Sequence, residues 1–139
     1  MEPIVYFLWM CEETISGLGY MPSVTMGLLT ALIISVVINN PFSRMRYHRR
    51  NWLAFSPALI PLAILMVGTI FRHHSGDTPY SWAQYLNTAL GIMHIPLAFF
   101  LLWKLKGIRL FSIMTILLGA WCTYWAWIIS AMSIYGDWI

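Results

Sequence analysis

Residues 41–51 read PFSRMRYHRRN and residues 104–109 read KLKGIR, and these two short stretches hold all but one of the chain's eight basic residues. Arg44, Arg46, Arg49 and Arg50 lie in the first, and Lys104, Lys106 and Arg109 in the second. The five acids, Glu2, Glu12, Glu13, Asp77 and Asp137, all fall in the segments that alternate with them. Uncharged stretches of 21 to 30 residues separate these groups, long enough to cross a hydrocarbon core as helix. Because Lys and Arg are retained in cytoplasmic loops, both basic stretches are expected on the inner face and every acid outside. Arg72, beside His73, His74 and Asp77, is the exception.

Working outward from the basic loops, spans are expected at 20–40, 52–71, 81–103 and 109–135. Asn39, Asn40 and Pro41 close the first, because proline cannot continue the backbone ladder. Trp52 opens the second and Arg72 closes it, while Trp82, Trp103 and Trp138 fall where an interfacial aromatic belt belongs. Residues 3–10, PIVYFLWM, are apolar but too short to span, and Glu12, Glu13 and the turn-rich GLGYMPS follow. Residues 3–18 therefore read as an interfacial or partner-packed helix within an outer segment 1–19. The expected fold is an all-α polytopic integral membrane protein: four transmembrane helices in two hairpins, a short N-terminal interfacial helix, and both termini outside. A bacterial plasma membrane or an organellar inner membrane is the expected setting.

With 139 residues, 60% apolar and 9% charged, the chain makes one membrane domain over 1–139 with no room for a separate catalytic domain. The formal charge of +3 does not point to nucleic acid, since the basic residues sit at membrane ends and suit anionic lipid headgroups. Cys11 and Cys122 are too few for a disulfide framework. The start carries Glu2, and no basic residue precedes Arg44, so no cleaved secretory signal is expected. No nucleotide-binding loop and no nucleophile paired with a base stands out.

Residues that depart from plain apolar surface mark helix contacts. Ser23, Gly27, Ala31, Ser35 and Asn39 recur every four residues in the first span, a ridge that permits close approach of another helix. In the fourth span Ser112, Thr115, Gly119, Cys122, Ala126, Ser130 and Ser133 follow steps of three and four, flanked by Trp121, Tyr124 and Trp125. Both read as packing seams, for partners within the chain or outside it.

The third span carries Gln84, Asn87, Gly91 and His94 on one helical face. His94 is near mid-span, and Pro96 withholds the backbone donor that the Ile92 carbonyl would use, so a kink with a local polar opening is expected. An intramembrane histidine is a functional hypothesis by default, although a packing hydrogen bond to a neighbouring helix is the plainer reading. His94, with Asn87 and Gln84, could face a quinone, a lipid or a proton path. It could also ligate haem, but His48 lies in the inner loop and His73 and His74 at the outer edge, so another subunit would supply the second ligand. At the outer surface Glu12, Glu13, His73, His74 and Asp77 offer metal ligands without a specific spacing.

The function expected from this sequence is that of an accessory or structural subunit of a larger membrane complex, with other membrane subunits and lipids as partners and a redox or respiratory setting favoured. A small oligomeric transporter or channel protomer, and a metal-dependent membrane enzyme, are the alternatives.

Overall fold

The computed structural model describes residues 2–42, 49–73 and 80–136, and every regular element among them is helical. In chain order these are α1 (Pro3–Leu18), α2 (Pro22–Asn39), a 3-10 segment (Arg49–Ala58) running into α3 (Leu59–Ile70), α4 (Ser81–Ile92), α5 (His94–Lys104), a 3-10 turn (Lys106–Ile108) and α6 (Arg109–Tyr135). Four stretches, Pro22–Asn39, Asn51–Ile70, Ser81–Lys104 and Lys106–Tyr135, are long and apolar enough to cross a membrane.

The prolines and the helix ends explain the boundaries. Pro3 and Pro22 stand in the first turns of α1 and α2, where no N–H is needed. Asn40 closes α2 in the left-handed region at φ 39°, and Gly136 closes α6 at φ 76°, a conformation glycine adopts without strain. The expected second span begins differently from the sequence reading. Residues 49–58 wind as 3-10 helix because Pro57 has no N–H for the Leu53 carbonyl; the Ser56 hydroxyl donates to that carbonyl instead, at 2.7 Å. The α-helix resumes at Leu59, which puts Pro61 in its first turn. In the third span Pro96 likewise falls in the first turn of α5, and the helix is interrupted at Met93.

The axis of the molecule is α6, against which α1, α2, the 3-10 segment, α3, α4 and α5 all pack. One end of the bundle is marked by Phe71, whose ring meets Trp82 edge-on at 4.5 Å, and by His73, whose backbone N–H donates to the Ser133 carbonyl at 2.8 Å. At the other end, Ala54, Leu101, Leu105, Ile108 and Phe111 form a buried cluster with Leu32 and Val36 against it. Exposed Trp82 at the first end and exposed Trp52 and Trp103 at the second fit the two expected belts.

The N-terminal segment, expected as an interfacial or partner-packed helix, packs against helices of its own chain. Met10, Thr14 and Gly17 are buried, and α1 runs along α3 and the His73-end half of α6. Tyr6 bonds to Ser133 at 2.8 Å, and a Cβ on Gly17 would lie 2.6 Å from the Trp125 ring. From there α2 continues along the other half of α6, with Thr25 at Trp121 and Val36 in the Phe111 cluster. Together α1 and α2 cover α6, a helix of 27 residues and about 40 Å.

Candidate functional site

The seam of α6 is a close crossing with α3. A Cβ on Gly68 would lie 2.6 Å from Ser130 Oγ and 2.9 Å from its Cα, so the backbones meet where glycine faces serine. Ser130 Oγ donates to the Ile64 carbonyl at 3.1 Å, and Ser133 Oγ to the Gly68 carbonyl at 2.7 Å. Ser112, Gly119, Ala126, Ser130 and Ser133 are all buried, whereas Thr115 and Cys122 are half-buried and border a groove.

The proposed ridge of α2 divides. Ser35 is fully buried, its hydroxyl donating to the Leu32 carbonyl at 2.7 Å, and Ala31 and Asn39 are half-buried. Ser23 and Gly27 are exposed, and a Cβ on Gly27 would meet nothing within 4 Å. The reason is Thr25: its hydroxyl donates to the Leu18 carbonyl at 2.6 Å and accepts from Trp121 Nε1 at 3.0 Å. Residues two positions away point about 200° around the helix, so fixing Thr25 against α6 turns Ser23 and Gly27 outward.

Asn87 and His94 are both buried, at 0% and 7% exposure, but the stripe does not converge on one point. Asn87 Nδ2 lies 3.4 Å from both Gln84 Oε1 and the Trp127 carbonyl, while its Oδ1 is buried with no hydrogen-bond partner among the described residues. His94 Nδ1 pairs with Thr123 Oγ1 at 3.2 Å, on the far side of the Met93 interruption. Thr123 was the residue the sequence reading missed. It is buried on the same face as Gly119, Ala126 and Ser130, at steps of four, three and four, and a regular 3.6-residue pattern through Gly119 would have singled it out. Gly91 is half-buried with nothing within 4 Å of a built Cβ, and it borders a hollow of about 320 Å³ with Thr88, His94, Thr123, Tyr124 and Trp127. A polar opening is expected near Pro96, whereas this hollow is lined mainly by apolar surface and both of its threonine hydroxyls are engaged: Thr88 accepts from Trp127 Nε1 at 3.3 Å, and Thr123 pairs with His94.

His94 Nε2 is buried and has no partner among the described residues. A Cβ on Gly119 would lie 3.1 Å from Nε2 and 2.7 Å from Pro57 Cβ, so the missing side chain at Gly119 lets the imidazole, α6 and the 3-10 segment meet. A porphyrin ligated at Nε2 would have to occupy the place of Gly119 and Pro57. The haem option therefore does not fit this arrangement. The outer metal set also stays apart in so far as it is described. His73 packs on Gly136, Glu12 is exposed and Glu13 half-buried, and no group of three His, Cys, Asp or Glu gathers among the described residues. His74 and Asp77 lie outside the described residues, as do Arg44, Arg46 and His48 of the first basic loop and Trp138.

Comparison with protein-family models, with curated proteins and with solved structures gives no match for this chain. The site's chemistry consists of hydrogen bonds between helices, close glycine contacts and apolar hollows.

Proposed function

We propose that the chain is a multi-pass membrane protein with its basic segments on the cytoplasmic or equivalent face, serving as an accessory or structural subunit of a larger membrane complex. The distribution of side chains supports a bilayer setting. Asn87, His94, Ser112, Thr123, Ser130 and Ser133 are buried, whereas Ile33, Val37, Tyr85 and Phe99 are among many large apolar residues exposed. In hydrocarbon that inside-out pattern carries no cost, and polar groups gain by facing one another.

The observation that carries the subunit role is the outward ridge of α2. At one close crossing between its own helices this chain sets glycine against serine, Gly68 on Ser130. The same combination, Ser23 and Gly27, stands exposed on α2, offering a second helix the close approach used inside the bundle. Exposed Glu12 on α1 adds weight, because a carboxylate on a helix packed along the bundle is better matched by protein or water than by lipid tails. His94 pairs with Thr123 within the bundle, so the docking reading rests on α1 and α2.

Isolation from native membranes in mild detergent tests it. Wild type should retain a defined partner at fixed stoichiometry, and Gly27→Leu should lose that partner with its melting temperature unchanged. Retention of the same partner by Gly27→Leu, or isolation of wild type alone, would contradict the proposal.

A further inference from the structure

A groove of about 560 Å³ runs between α1 and α2 on one side and the 3-10 segment and α3 on the other, with α6 as its floor. It extends from Cys11 and Cys122 at mid-bundle to Phe42 and Phe111 near the end of the bundle. Ile15, Phe42 and Leu62 on its rim are 68%, 55% and 45% exposed, so it opens on the outside of the bundle. The volume is that of a ligand site. Its wall offers no polar anchor: the Thr14 hydroxyl donates to the Met10 carbonyl at 2.8 Å, the Thr115 hydroxyl to the Ser112 carbonyl at 3.0 Å, and the cysteines behave as small apolar residues. Whatever fills the groove must present hydrocarbon to it.

The open end differs from the wall in charge. Exposed Lys106 and Arg109 flank Ile108, which packs with Phe111 of the groove and Ala54. Arg49 and Arg50 begin the 3-10 segment whose Ala54, Phe55, Pro57 and Ala58 line it. None of the chain's five acids falls in residues 36–42, 49–58 or 101–115, the described segments at this end. An apolar channel ending among cations with no carboxylates matches one class of molecule. We infer that the groove holds an acyl chain of an anionic phospholipid whose headgroup sits at Lys106 and Arg109. The inference is independent of the Ser23 and Gly27 patch of α2, which is exposed.

Reconstitution in phosphatidylcholine vesicles doped with a trace of phosphatidylglycerol or phosphatidylcholine, each bearing a diazirine on its acyl chain, tests it. The phosphatidylglycerol probe should label groove residues such as Leu62, Leu118 and Cys122 roughly fivefold more than the phosphatidylcholine probe does. Lys106→Gln with Arg109→Gln should remove that preference, and Ala58→Trp, entering from the exposed rim, should remove groove labelling with either probe. The wild-type comparison needs no variant, so misfolding of Ala58→Trp leaves the test intact. Equal labelling by both headgroups, labelling spread evenly over Ile33 and Phe99, or a protein segment cross-linked in the groove would overturn the inference.

Discussion

Trp121 Nε1 donates to Thr25 Oγ1 at 3.0 Å, and this bond joins the start of α2 to the middle of the longest helix. Because Thr25 Oγ1 also donates to the Leu18 carbonyl, one hydroxyl holds α1, α2 and α6 together. It sets the rotation of α2 and thereby which face of that helix is left for other molecules.

Thr25→Val should therefore do more harm than its size suggests. It leaves the Trp121 indole N–H and the Leu18 carbonyl without their partner, at a cost of about 1–3 kcal/mol in the low-dielectric setting. Trp121→Phe combined with Thr25→Val should cost less than the sum of the two single changes. Thermal unfolding of the double-mutant cycle measures the coupling, and strict additivity would show the bond to be unimportant.

The glycines divide into two classes by what a methyl would meet. Gly68→Ala and Gly119→Ala drive a Cβ to 2.6 Å from Ser130 Oγ and 2.7 Å from Pro57 Cβ, and each should cost about 1–3 kcal/mol through overpacking. Gly27→Ala meets nothing and should leave the isolated chain as stable as wild type or slightly more so. Melting temperatures in one detergent decide the order, and equal losses at all three positions would refute the packing described.

For His94 the neighbour that counts is Thr123. Thr123→Val removes the partner of Nδ1 and should destabilise by about 1–3 kcal/mol, with His94→Leu costing a similar amount and the double change little more than either. Independent effects at the two positions would place the role of His94 elsewhere.

The proposed orientation rests on charge. With Cys11 and Cys122 changed to Ser, a cysteine introduced by Gly107→Cys should react with a membrane-impermeant maleimide only from the cytoplasmic or equivalent side. Labelling from the opposite side would invert the proposed orientation.

The four apolar stretches and their ends were readable because hydropathy and helix-stopping residues act locally: Asn40 and Pro41 end α2 as expected, and Pro96 places the interruption at Met93. The 3-10 start of the second stretch was equally local, but it required reading Pro57 and Pro61 as a pair that deprives consecutive turns of donors. What could not be read depends on residues far apart in the chain. The place of α1 rests on Gly17 against Trp125, and the partner of His94 is 29 residues away. The polar residues of α2, Ser23, Thr25, Thr30, Ser35 and Asn39, are spread around the helix, so the sequence does not mark which face turns inward; the Thr25 hydroxyl decides that through a contact 96 residues distant.

The most direct test of the docking role places a photo-crosslinking amino acid at Thr30, exposed one turn from Gly27, in native membranes, with Phe99, exposed on α5, as the comparison. One discrete protein adduct is expected from position 30, abolished when Gly27→Leu is added, and mainly lipid adducts from position 99. Lipid adducts alone from both positions would contradict it.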